Sequence, residues 1–385
     1  MMDWPQIEYV EEGMREGMQI ESAAISVSDK IRLLDALSGT GLTKIVVGSF
    51  VSPKWTPQMA QIDDIVAGMT PRPGVTYTAV VLNERGRERA RAYEHILTLE
   101  RPIPRLLCHL CDVFVRRNAN VSQSQEISRW PALVEQAVER GVTEAGIAVN
   151  AAWGSNFVGQ FTEEQRMELL SRQHDLWTAA GVKVVFAWLG DPMSWNLPHV
   201  VESQLVTIKQ TWPSIKTIGL HLHNARGMAP VSMYAAMRAL DSSYTLRLDG
   251  TIGGMGGCPY CGNGRVTGMA PTEDMVHMWQ QMGIDLGVDM DKLIRVVWLA
   301  EEIVGHPLWG HVSKAGPLPR RTDQLYPTDL PFIETEESAR HFALGADAIP
   351  ADALRPWKEP IRSQQRLEVE QRLAGVAESA QTLIS

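Results

Sequence analysis

The chain has 385 residues, 44% hydrophobic and 21% charged, which suits a globular protein larger than one ordinary core and within range of a single α/β barrel with additions. A formal net charge of −9 argues against nucleic acid as a partner, because phosphate binding needs a basic face, although an anionic small molecule can still bind at a local cluster. There is no apolar run near the ~20 residues that span a bilayer, no secretory signal in "MMDWPQIEYV", and only four cysteines, so no membrane partner is expected and a reducing cytoplasm is the default compartment.

Short apolar runs alternate with longer helical patterns. The candidate strands are "IEYVEEG" (7–13), "KIVVGSF" (44–50), "TYTAVVLN" (76–83), "RLLCHLC" (105–111), "AGIAVNAAW" (145–153), "KVVFAWLG" (183–190), "TIGLHLH" (217–223) and "TLRLDGT" (245–251). After the first, Ser26 or Ser28 caps a helix with Asp29 in its first turn. Ile31, Leu34 and Leu37 recur at helical spacing, and Gly39 and Gly41 mark its end. A similar unit, "TEEQRMELLSRQHDLWTAAG" (162–181), runs straight into the sixth strand.

Strand, helix and strand in succession without hairpin turns imply parallel pairing with crossovers. Eight such units predict an α/β fold, a (β/α)8 TIM barrel, over the doubly wound sheet that the same alternation would allow. Past about residue 310 the rhythm stops in a proline-rich stretch, followed by a polar helix pattern. The expected division is a barrel over 1–312 and an irregular and helical C-terminal extension over 313–385. The extension reads as a lid, an oligomer contact or a helix packed on the outside. A homodimer is the expectation from base rates.

In a barrel the chemistry sits where strands end and the following loops begin. "MREGMQ" places Arg15 and Glu16 after the first strand, "LGDP" places Asp191 after the sixth, and "HLHN" places His221 and His223 after the seventh. The eighth leads through Asp249 into the glycine loop "GGMGGCPYCGNG" (253–264). His221 and His223, two apart on a strand, point to one face, and imidazoles so placed suit a divalent metal completed by a carboxylate. Glu16 is the best carboxylate, since the first and seventh strands open on one mouth. Strict alternation would turn Arg15 and Glu16 to opposite faces, so the strand must already have ended, which Gly17 permits.

The C-P-Y-C pair allows three readings. A four-thiolate zinc site would need Cys108, Cys111, Cys258 and Cys261, but Cys108 and Cys111, three apart on a strand, should face opposite ways. A redox dithiol is expected at a helix N-terminus, not after a late strand among glycines. One working thiol, Cys258, on a loop that folds over a ligand is favoured, with Gly256 and Gly257 in the ligand contact.

With these residues the chain resembles the hydroxymethylglutaryl-CoA lyase family, in the metal-dependent barrel group that also contains isopropylmalate and citramalate synthases. The matching motifs are "MREGMQ" (14–19), "SFVSPKWTPQM" (49–59), "RRNANVS" (116–122), "LGD" (189–191), "HLHNARGMA" (221–229), "GGCPY" (256–260) and "TED" (272–274), in order from residue 7 to about 315. "SFVSPKWTPQM" and "GGCPY" are specific to the lyase branch, and the tail has no counterpart. The resemblance implies retro-Claisen cleavage of a 3-hydroxy-3-methylglutaryl-CoA-like thioester to acetyl-CoA and a keto product. It implies Mg²⁺ or Mn²⁺ on Glu16, His221 and His223, and Arg15 on the developing enolate oxygen. It also implies Cys258 as the acid that protonates the acetyl-CoA carbanion, and Asp191 helping to remove the hydroxyl proton.

Three positions depart from the family pattern. Glu16 stands where aspartate is usual, Val46 where the lyases carry a glutamate, and Met269 where a ligand asparagine precedes "TED". Asn263, in "CGNGR", is the expected substitute ligand. Lys54 in "SPKW" and Arg226 in "HNARG" are the candidates for the CoA phosphates. The altered positions point to a related acyl-CoA or 3-hydroxy acid. The alternatives are a synthase or aldolase of the same group, which "GGCPY" disfavours, and a non-catalytic binding protein.

Overall fold

A computed structural model describes residues 3–81, 84–99, 103–262, 268–332 and 352–382. Every apolar run singled out above contributes a strand: β1 (Gln6–Glu11), β2 (Lys44–Ser49), β3 (Thr76–Val80), β4 (Cys108–His109), β5 (Glu144–Asn150), β6 (Lys183–Asp191), β7 (Thr217–Leu222) and β8 (Thr245–Gly250). They form one parallel sheet in the order β3-β2-β1-β8-β7-β6-β5-β4. Each strand lies beside its neighbours in sequence, and the last returns to the first, with Gln6 level with Thr245 and Glu11 with Gly250. A doubly wound sheet would reverse its order at a switch point. This order is that of a ring, and the fold is the (β/α)8 barrel expected from the sequence. On its far edge β3 bridges Leu97, in the segment after the helix that follows it, and among the described residues no ladder joins β3 to β4.

β4 is shorter than the apolar run that marks it. The His109 N–H is taken by the Glu126 side chain at 3.0 Å and its carbonyl by Gln123 at 2.7 Å, so its groups facing away from β5 are occupied, while toward β5 the Leu110 N–H still donates to the Asn150 carbonyl at 3.0 Å. Cys111 belongs to a helix start, not to the strand, and its Sγ accepts from the Phe114 N–H at 3.3 Å.

The connecting helices are α1 (Val27–Ser38), α2 (Ile62–Gly68), α3 (Glu84–Arg91), α4 (Asp112–Ala119), α5 (Gln123–Ser128), α6 (Trp130–Glu139), α7 (Glu163–Ala179), α8 (Pro198–Thr211), α9 (Ala229–Ala239), α10 (Thr272–Gln281) and α11 (Met290–Val304). Ser26, not Ser28, caps α1 by accepting from the Asp29 N–H at 3.0 Å. The buried face of α1 is Lys30, Leu33, Leu34, Leu37 and Ser38, which includes Leu34 and Leu37 of the expected register and leaves Ile31 half-buried. α7 starts on a capping box between Thr162 and Gln165. The strands are buried on both faces, as a closed parallel sheet under helices requires.

By its contacts the chain divides into residues 1–309 and 310–385. The second unit holds α12 (Val312–Ala315) and the long α13 (Gln364–Thr382). Arg366 ties its irregular segment to α13, donating to the Tyr326 carbonyl at 2.6 Å and pairing with Glu370 at 2.6 Å. Among the described residues no helix is long and apolar enough to cross a membrane.

Candidate metal and catalytic site

β1 ends at Glu11, and Gly13–Gly17 form one wide helical turn. This turn brings Arg15 and Glu16 to the same place despite their being neighbours. The two side chains form an ion pair through Arg15 Nη1, while Arg15 Nη2 pairs with Glu12. Gly17 is needed for space and not for an unusual φ, since a Cβ there would lie 2.6 Å from Met255 Cγ.

His221 and His223 project from the end of β7 with ring centroids 5.3 Å apart, and both are buried. Glu16 Oε1 lies 3.5 Å from His223 Nε2. One ligand atom each from Glu16, His221 and His223 falls within 4.8 Å of the others, and the set Glu12, His221 and Asp249 meets the same condition. The two sets share His221, and its hydrogen bonding decides between them. His221 Nδ1 lies 3.0 Å from Asp249 Oδ2. In the tautomer with hydrogen on Nδ1 the imidazole donates to Asp249 and keeps its Nε2 lone pair, the usual arrangement of a metal-bound histidine and its orienting carboxylate. Asp249 is thus the orienting group, and Glu16, His221 and His223 are the set that fits a divalent cation.

Charge supports the same reading. Among the buried groups, Glu12, Glu16 and Asp249 face the single guanidinium of Arg15, and Arg247 only reaches to 3.9 Å of Asp249 from a half-exposed position. A divalent cation offsets the excess. Burial pushes the Glu16 carboxyl up, but Arg15, and after it the two histidines, outweigh this and hold it below its usual value. Burial opposes a charged His221, yet the hydrogen bond and charge of Asp249, with Glu12 and Glu16 beyond, raise it. Protons therefore compete with a metal for His221, and Mn²⁺ affinity, measured by titration, is expected to fall as pH is lowered from 8 to 6.

Asp191 closes β6, fully buried. Its Oδ2 accepts from the backbone N–H of Asn196 at 2.6 Å and from Asn196 Nδ2 at 2.7 Å, whereas Oδ1 has no hydrogen-bond partner among the described residues. Burial raises its carboxyl, and the Asn196 donors only partly reverse this. Arg15 Nε is likewise buried with no partner. An unmatched donor and an unmatched acceptor at one mouth suit a polar ligand carrying the opposite groups.

The loop after β8 is fastened at both ends. Glu11 accepts from the Ile252 N–H at 3.0 Å, and Glu273 from the Gly253 N–H at 2.9 Å. Beyond Cys258, Arg117 donates to the Tyr260 carbonyl at 2.9 Å, and Asn156 to the Cys261 carbonyl at 3.1 Å. Gly256, at φ +107, packs on the metal turn, and a Cβ there would stand 2.7 Å from the Glu16 carbonyl oxygen. Gly256→Ala is expected to cost ~1–3 kcal/mol of stability and to displace Glu16, which denaturant titration and Mn²⁺ binding would read together.

Cys258, Cys261 and Cys111 share one apolar cluster with Met193. The Cys261 thiol is fully buried, donates to the Pro192 carbonyl at 3.0 Å, and is pushed up by the adjoining Cys258 thiol and then by burial. The four cysteines are free and buried, and Cys108 lies outside this cluster.

Glu11 adds a stability prediction. Burial raises it from 4.5 to about 7, so the folded chain holds that proton more tightly than the unfolded one. Its contribution, roughly 3 kcal/mol, is present below the unfolded value and lost as pH rises through about 7. The melting temperature of Glu11→Gln should consequently vary less between pH 5 and pH 9 than that of the parent.

The remaining sequence candidates are placed as follows. Gly257 is buried in the loop beside Gly256. Lys54 is exposed, 5.1 Å from the Trp55 ring centroid. Arg226 donates to the carbonyls of Met193 and Ser194 at 2.9 and 3.0 Å, joining the loops after β6 and β7. Asn263 lies outside the described residues. Met269 forms a bridge with His223, so the position of the absent asparagine does adjoin the metal ligands. Sequence reasoning missed Glu12 and Asn196. The spacing of Asp191 and Asn196 in "DPMSWN" fits a side chain closing back on its own turn, a signal that was available for the second.

The HMGL-like family model matches residues 6–299. The chain belongs to the HMGL-like family. It is 32% identical to a hydroxymethylglutaryl-CoA lyase of Bacillus subtilis over 300 residues, 77% of this chain and 93% of that one. It is 30% identical to the (R)-citramalyl-CoA lyase of Chloroflexus aurantiacus over 317 residues, 79% and 93% of the two chains. The solved structure of an HMG-CoA lyase from Acinetobacter baumannii, in complex with coenzyme A and 3-methylmalate, superposes with a TM-score of 0.66 at 26% identity, covering 86% of this chain and 98% of that one. This HMGL-like chain is an enzyme of the carbon–carbon lyase class.

Proposed function

We propose that the chain cleaves a 3-hydroxy-3-methylglutaryl-CoA-like thioester to acetyl-CoA and a keto product, with Glu16, His221 and His223 holding Mg²⁺ or Mn²⁺. The observation that carries the reading is the contact of Gly256 with the Glu16 carbonyl, which ties the loop bearing Cys258 to the turn bearing a metal ligand. When bound, the cation makes the tertiary hydroxyl acidic. Asp191, whose Oδ1 has no other partner, takes the hydroxyl proton. The carbon–carbon bond then breaks, leaving a keto group on one fragment and the enolate of acetyl-CoA on the other. The Arg15 Nε–H donates to the enolate oxygen, and the Cys258 thiol gives its proton to the enolate carbon.

Relatives of similar identity are named for different acyl groups, among them citramalyl-CoA, so the acyl portion is open to variation. The testing experiment measures acetyl-CoA release from hydroxymethylglutaryl-CoA and from citramalyl-CoA with Mg²⁺ or Mn²⁺. Metal-dependent release from either supports the reading. No release from either, by protein shown to hold one divalent ion, overturns it.

A further inference from the structure

Glu12 is a charged side chain in the barrel mouth to which the sequence pattern gives no role. It is 7% exposed, it directly follows β1, and its carboxylate pairs with Arg15 Nη2. Glu16 holds the other terminal nitrogen, Nη1. The guanidinium is therefore shared between two carboxylates, one on each terminal nitrogen, and only Nε is left without a partner.

This division has a consequence for both neighbours. An arginine facing a single carboxylate tends to grip it bidentately, through two nitrogens and both oxygens. Glu16 can offer Oε1 toward His223 only if Arg15 leaves that oxygen alone, and Glu12 keeps Nη2 away from it. The strand register adds to the argument. Glu11 is level with Ile45, which sets position 12 level with Val46 on β2. Val46 is 6% exposed and apolar, so at this level of the mouth Glu12 is the carboxylate on the β1–β2 side.

We propose that Glu12 is a positioning residue for the lyase reaction, fixing the Arg15 guanidinium so that Nε faces the thioester oxygen and Glu16 keeps one oxygen for the cation. The proposal rests on the function put forward above. It concerns a residue acting through Arg15, not one touching the substrate.

The test is a double-mutant cycle of Glu12→Leu and Arg15→Met, with Glu12→Asp as the conservative variant and the crystal structure of Glu12→Leu as a readout independent of turnover. In the parent background Glu12→Leu is expected to lower kcat by ~10–100-fold with KM changed less than ~threefold. In the Arg15→Met background the same change should cost less than ~twofold. Glu12→Asp should recover part of the loss. Equal losses in both backgrounds would mean that Glu12 acts independently of Arg15, and the proposal falls. If the parent cleaves neither thioester, the functional reading is what fails, and the crystal structure still decides here. Arg15 turned with both terminal nitrogens onto Glu16 supports the proposal, and Arg15 left in place overturns it. Should the leucine variant not fold, Glu12→Gln carries the same cycle and structure.

Discussion

Cys258→Ala is expected to lower acetyl-CoA release by ~10²–10⁴-fold while leaving Mn²⁺ affinity within ~twofold of the parent. The loop that carries the thiol leaves β8 through two N–H groups gripped by Glu11 and Glu273, and it is pinned beyond the thiol by Arg117 and Asn156. None of these four bonds uses the Cys258 side chain, which instead adjoins the Cys261 thiol within the apolar cluster. On the proposed mechanism what disappears is the proton donor, and general acid catalysis of carbon protonation would lose its source. Cys261→Ala supplies the contrast. That thiol is fully buried and occupied by the Pro192 carbonyl, and its removal should change stability more than turnover. Comparable turnover losses in the two variants would count against Cys258 as the acid and favour a shared structural role.

How much of this was legible beforehand differs between the fold and the site. The barrel was readable because each strand is a bounded apolar run and the crossovers are helical, two of them starting on side-chain caps at Ser26 and Thr162, so local signals and overall topology agree. His221 and His223 were readable for a similar reason, since a two-residue period on a strand dictates a common face. Glu12 was not. By alternation it should face away from Glu11, and no rule of strand periodicity says which of two adjacent glutamates at a strand end meets an arginine three residues on. The wide turn over Gly13–Gly17 decides it, and that turn is set by packing against Met255 and Ile252 on a distant loop. The glycine loop was read as freedom to fold over a ligand. The structure gives three of its glycines, Gly253, Gly254 and Gly256, a different reason, positive φ with backbone or side chains in close approach. The short β4 was hidden because side chains from α5 take the His109 N–H and carbonyl on its side away from β5, a contact between segments that the run "RLLCHLC" does not announce.

Glu16→Asp is expected to weaken Mn²⁺ binding by ~10–100-fold, even though aspartate is the residue that the family pattern carries there. A shorter side chain can serve as ligand only if the backbone advances to compensate for the lost methylene, about 1.5 Å. Here the backbone cannot advance freely, because the Glu16 carbonyl is packed against Gly256, where even a Cβ would come within 2.7 Å, and Gly17 is packed as closely on Met255. The glutamate length is therefore matched to the position of this turn, with Oε1 already 3.5 Å from His223 Nε2. Glu16→Gln keeps the length and removes the charge. Since Arg15 and both histidines hold the Glu16 carboxyl below its usual value, the group offered to a cation at neutral pH is the carboxylate, and the amide should bind Mn²⁺ more weakly still. Isothermal titration of the three proteins orders them as glutamate, aspartate, glutamine. Aspartate binding as tightly as glutamate would mean that the turn moves after all, and the account of Gly256 as its fixed neighbour would have to be abandoned.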